Sequence, residues 1–80
     1  MTFYEARQLI KIGGKYRHYK GGIYTVDNIA TDIDSGFVVV VYHNEINEYF
    51  VRRASEWLDT VTIPQYVARF ELALIEDDKS

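Results

Sequence analysis

The sequence predicts a mostly β domain: a small SH3-like antiparallel β-barrel with a short N-terminal helix and a helical turn near Trp57. Three observations predict it. Short runs of β-branched and aromatic residues recur every ~8–12 residues, with turn-forming residues between them. The run from Phe37 to Tyr42 holds four consecutive valines, the composition of a strand covered on both faces. At 80 residues there is room for one core and no second.

The first element is helical. Thr2 to Glu5 reads T-x-x-E, in which the threonine hydroxyl accepts an orphan amide and the glutamate reaches back to the threonine N–H. A helix over about residues 3–11 follows, with Phe3, Ala6 and Ile10 at helical spacing. Gly13-Gly14 is expected to end it by supplying a left-handed residue.

From Lys15 the period becomes two. Tyr16, His18 and Lys20 alternate with Lys15, Arg17 and Tyr19, and Gly21-Gly22 is a hairpin signal because positive φ is cheap for glycine. Residues 23–30 form the second strand, with Tyr24 and Val26 on one face and Ile23, Thr25 and Ile29 on the other. Asp32 to Gly36 is a polar turn, Phe37 to His43 the central strand, His43 to Asn47 a second turn and Glu48 to Arg52 a fourth strand. The next segment, RASEWLDTV, fits one helical turn that buries Trp57 and Leu58. TVTIPQ is a connection with Pro64 at an edge or turn. Over residues 66–75, Phe70, Leu72 and Leu74 alternate as in a strand, while Tyr66, Phe70 and Leu74 fit a helix face equally well. Residues 1–80 therefore read as one domain, with helix and cap over 1–13, barrel over 14–75 and a frayed tail over 76–80.

Charge is unevenly divided. Residues 1–20 carry five cations against Glu5 alone, whereas residues 21–80 carry four cations against eleven acids, and the net charge is −3. An acidic chain with a pI near 5.2 is poorly suited to sequence-independent nucleic-acid binding, which draws its affinity from neutralising phosphates. The basic N-terminal quarter still suits a small anion. No secretory pattern, no membrane-length apolar run and no cysteine is present, so the expectation is a cytoplasmic protein without disulfides.

Gly14-Lys15-Tyr16-Arg17-His18-Tyr19-Lys20-Gly21, with Tyr24 and Val26 after it, resembles a bacterial and phage family, domain of unknown function 1653. The resemblance continues through Val39-Val40-Val41-Tyr42, Phe50-Val51-Arg52, Glu56-Trp57 and Arg69-Phe70-Glu71, over about residues 13–72. Family members usually place a tryptophan and a glycine-rich loop before the Val-Arg step and a proline after it. This chain has Asn44-Glu45-Ile46-Asn47, Phe50 and Arg53 there. The resemblance implies a compact β-barrel-like domain and no established activity.

Catalytic and metal chemistry find little footing. The serines are Ser35, Ser55 and Ser80, none in a nucleophile motif, and the histidines, His18 and His43, lack metal-ligand spacing. The expectation is thus a non-enzyme with no metal and no cofactor. Arg17, His18, Lys20, Tyr24, Arg52 and Arg69 are the candidate ligand-binding set, because rings beside cations can stack a base or sugar while meeting a phosphate or carboxylate. The competing reading makes the tyrosines core residues and pairs Arg52 and Arg69 with surface carboxylates such as Glu71, Glu56 or Asp59. Two other functions stay open. One is contact with a host protein through an acidic face bearing exposed Tyr49 and Trp57; the other is weak nucleic-acid binding. The strand Glu48–Arg52 also offers an edge for pairing with a second copy.

Overall fold

Thr2 caps the first helix as its sequence requires. In the computed structural model, which describes residues 1–61 and 67–73, Glu5 N–H donates to Thr2 Oγ1 at 3.1 Å and Thr2 N–H donates to Glu5 Oε1 at 2.8 Å. Helix α1 spans Phe3–Leu9 and buries Ala6. It ends earlier and differently from expectation. Ile10 is an extended C-cap and plunges into the core, while Gly13, at φ 84°, makes a separate turn. In that turn Gly14 N–H reaches Lys11 C=O at 3.0 Å, and Gly13 N–H reaches Val26 C=O at 2.8 Å. The glycines thus hook the helix exit onto the sheet instead of capping the helix.

The strands are β1 (Lys15–His18), β2 (Ile23–Thr31), β3 (Val38–His43), β4 (Tyr49–Arg53), β5 (Thr60–Val61), β6 (Val67–Ala68) and β7 (Phe70–Leu72), with a short helix α2 (Ala54–Trp57). Five of them form one antiparallel sheet in the order β4-β3-β2-β1-β7, and β5 pairs with β6 apart from it. The protein is therefore mostly β, with β3 paired on both sides. Thr60 and Val61, expected in a connection, are strand residues. In the ambiguous C-terminal segment Val67–Ala68 and Phe70–Leu72 are strand, whereas Tyr66 and Leu74, on which the helix-face alternative rested, lie outside the described residues. Residues 62–66, with Pro64 expected at an edge or turn, and the expected tail at 76–80 lie outside the described residues. Among the described residues, no helix is long and apolar enough to cross a membrane.

One expected face assignment is wrong for a local reason. The β2–β3 register slips between Val26 and Asn28, a bulge that inserts an extra residue at Asp27. Strict alternation puts Val26 and Ile29 on opposite faces; the slip brings both into the core, at 1% and 3% exposure. The core holds Ala6, Ile10, Tyr16, Val26, Ile29, Val40, Tyr42, Ala54, Trp57 and Phe70. Trp57 lies flat on Phe70, with centroids 3.7 Å apart and planes 4° from parallel, and Tyr16 and Tyr42 meet it edge-on. Tyr16 keeps its hydroxyl satisfied by accepting Lys11 N–H at 2.9 Å.

Candidate functional site

The hairpin between β1 and β2 positions the site. His18 C=O accepts Gly21 N–H and His18 N–H donates to Gly22 C=O, at 2.8 and 3.1 Å, while Gly21 and Gly22 take φ of 108° and 91°. That tight closure leaves His18 at the end of β1 on the same face as Tyr16. On β2, Tyr24 shares that face, and the pairing of Tyr42 with Phe50 brings two more rings alongside. Phe70 of β7 completes the wall, 4.9 Å from the His18 ring and 5.9 Å from Tyr24.

These residues surround a cavity of about 260 Å³, lined by His18, Tyr24, Tyr42, Phe50, Arg52 and Phe70. Arg52 enters from β4. Its Nε–H donates to Tyr42 Oη at 3.5 Å and its guanidinium lies 5.6 Å from the Phe70 centroid. No ion pair holds Arg52 or Arg69 among the described residues. Pairing of either arginine with Glu71 or Glu56 is thus not formed among the described residues, while the Arg69 backbone N–H donates to Asp59 C=O at 3.0 Å. Arg69 is half-buried at the step between β6 and β7, with its Nε enclosed and unpartnered among the described residues.

His18 feels all of this. Its burial, and then the charges of Arg52, Arg69 and Lys20, hold its pKa below the usual imidazole value. Lys20 N–H donates to His18 Nδ1 at 3.1 Å, so the neutral ring carries its proton on Nε2 and stays a donor there. The cavity therefore offers a guanidinium, an imidazole N–H and aromatic walls, and no carboxylate among its lining residues. Such a set attracts an anion and packs against a flat group.

The expected site residues divide accordingly. His18, Tyr24 and Arg52 line the cavity, and Arg69 and Lys20 act on it through charge. Lys20 is exposed, its Nζ 5.7 Å from the Tyr19 ring. Arg17 does not converge with them. It pairs across strands with Glu71 and lines a separate depression of about 360 Å³ with His18, Tyr19, Ala68 and Glu71. Tyr49 is exposed as expected, but Trp57, 1% exposed, is core and unavailable to a partner; the helical-turn reading of its segment is the one that holds. Leu58, expected to be buried with it, is 37% exposed. Three lining rings, Tyr42, Phe50 and Phe70, escaped the candidate set. The alternation of Phe50 with Arg52 on one strand face was the signal that places the first of them. Among the described residues, no three potential metal ligands gather.

The displaced pKa gives a pH prediction. The unfolded imidazole titrates near 6.5, and the folded one lower, so the folded protein binds fewer protons between the two values. The stabilisation from neutral His18 is complete above pH 6.5 and is lost as pH falls toward the folded value. His18→Gln is expected to flatten this part of the Tm-against-pH curve between neutral and mildly acidic pH. A wild-type curve superimposable on that of the variant removes the assignment.

Fold and cavity together define a small mostly β domain with a cationic, ring-walled hollow on its core face. The chain belongs to the family of proteins of unknown function DUF1653, whose model matches residues 14–72. Helix α1 precedes the matched region. The crystal structure of a DUF1653 protein from Bordetella bronchiseptica is similar, with 29% identity and a TM-score of 0.70, over 84% of this chain and 92% of that one. No curated protein matches the chain.

Proposed function

We propose that this domain is a non-catalytic binding module for a small anionic, nucleotide-like ligand, held in the cavity between His18, Tyr24, Phe50, Arg52 and Phe70. One observation carries the reading: Arg52 stands over an aromatic wall beside a neutral histidine with no carboxylate to neutralise it among the described residues. A guanidinium kept free of acids in a half-buried position is poised for an incoming anion, and its planar fork suits phosphate or carboxylate. At about 260 Å³ the hollow is smaller than the usual ~300–1,000 Å³ ligand pocket, so it suits one ring or one anionic group of a ligand. In this reading the bent sheet is an SH3-like barrel, and the domain works in the cytoplasm of a bacterium or on behalf of a phage. The alternative of docking on a host protein keeps Tyr49 but loses Trp57, and is the weaker for it.

A thermal-shift screen tests the proposal, with nucleoside monophosphates, cyclic dinucleotides, sugar phosphates and inorganic phosphate as probes. Saturating ligand is expected to raise Tm, because binding to the folded state alone adds about 2.7 kcal/mol at a hundredfold excess over Kd. A flat response to every class rejects the reading.

A further inference from the structure

We propose that the free edge of β4 pairs antiparallel with the β4 edge of a second copy of this chain, about a two-fold axis through Val51. Among the described residues β4 bonds only to β3, so its other edge presents unpaired backbone groups. The phase of the ladder says which ones. The β3–β4 loop closes with Asn44 N–H on Glu48 C=O at 3.0 Å, and paired bonding alternates from there. Phe50 and Arg52 therefore bond inward to Tyr42 and Val40, and Tyr49 and Val51 turn their N–H and C=O groups outward; Arg53 turns its N–H outward, while its C=O, at the N-cap of α2, belongs to that helix's first turn.

An edge of this kind is normally guarded, and this one is not. The opposite edge of the sheet, β7, is blunted by being three residues long. Strand β4 has five residues, no proline, no lysine and no bulge in its ladder with β3. Its two arginines do not guard it either. Arg52 is committed to the cavity, and the guanidinium of Arg53 lies 4.0 Å from the Phe37 ring centroid, folded back over its own sheet. Meanwhile Tyr49 and Val51 are 61% and 64% exposed.

The strand is complementary to itself. Centred on Val51, all five residues pair: Val51 faces Val51 of the second copy, Tyr49 faces Arg53, and Phe50 faces Arg52. No like charges stand opposite one another, because Arg52 and Arg53 face the Phe50 and Tyr49 positions and keep their guanidinium groups on Phe70 and Phe37 of their own chain. Helix α2 begins at Ala54 and bounds the pairing at its end. The operation is isologous and closes at two copies, so it yields a dimer and not a fibre. The pairing does not depend on what the cavity binds, although it sets the Phe50 and Arg52 rows of two cavities side by side.

Sedimentation of the full chain from micromolar to near-millimolar concentration tests it. The expected mass at the upper end is twice 9.4 kDa. Val51→Lys sets like charges across the axis and is expected to sediment as a single chain, with an unchanged circular dichroism spectrum because the residue is exposed. Ile33→Lys, at a 92%-exposed residue in the β2–β3 turn, is expected to leave the dimer intact. A wild-type single chain at every concentration, growth beyond two copies, or a dimer indifferent to Val51→Lys overturns the proposal.

Discussion

Trp57→Ala is expected to leave little folded protein at ambient temperature. The indole is 1% exposed and meets three rings: flat on Phe70 at 3.7 Å, and edge-on to Tyr42 at 4.8 Å and Tyr16 at 5.2 Å. Truncating a buried aromatic to alanine costs about 3–5 kcal/mol through lost transfer energy and the cavity left behind. At ~0.05–0.15 kcal/mol per residue, an 80-residue domain has about 4–12 kcal/mol in total. The loss therefore consumes a large share of the whole. Trp57→Phe keeps a ring against Phe70 and is expected to melt between the two. Leu58→Ala, one residue along but 37% exposed, is expected to stay within about 0.5 kcal/mol of wild type. Urea unfolding followed by circular dichroism reads all three. Similar midpoints for Trp57→Ala and Leu58→Ala would refute the packing assigned to α2.

That tryptophan also shows where the sequence is legible and where it is not. Features set by neighbours in the chain could be read directly. The capping box at Thr2 and Glu5, the glycine hairpin after Lys20, the Asp32–Gly36 turn and the strand formed by the valine run, which is paired on both sides, all follow from local chemistry. In that turn Asp34 N–H bonds Asp32 Oδ1 at 3.0 Å, and Gly36 takes φ 77°. Features set by the third dimension were not readable. A single slipped residue at Asp27 moved Ile29 across the sheet, because a period-two pattern carries no mark of a bulge. Whether Trp57 faced a partner or the core depended on Phe70, thirteen positions away in the chain and reached only by folding. For the same reason the arginines could be nominated but not grouped. Arg52 and Arg17 sit in similar sequence surroundings, yet strand pairing sends one into the ring-walled hollow and the other to Glu71.

Arg52→Ala is expected to abolish the ligand-induced rise in Tm while costing the unliganded domain little. The guanidinium makes one long bond, to Tyr42 Oη at 3.5 Å, and stacks over Phe70 at 5.6 Å, so its own contribution to folding is small. Its contribution to an anion is not, because in a half-buried site a positive charge is screened less than at the open surface. Arg52→Lys keeps the charge but loses the planar fork, and is expected to retain part of the shift. A second readout needs no ligand. Arg52 is a named source of the repulsion that depresses His18, after burial itself. Removing it should let the His18 imidazole titrate closer to its ordinary value, and an NMR titration of that ring measures the change directly. An anion bound beside the ring would act in the same direction, by cancelling the positive field, so ligand uptake in the wild type should draw a proton onto His18. The two experiments separate the site from its occupant. If His18 moves on Arg52→Ala but no probe raises Tm, the charge geometry stands and the ligand class is wrong. If His18 does not move, Arg52 is not beside it in solution, and the cavity as described is not the site.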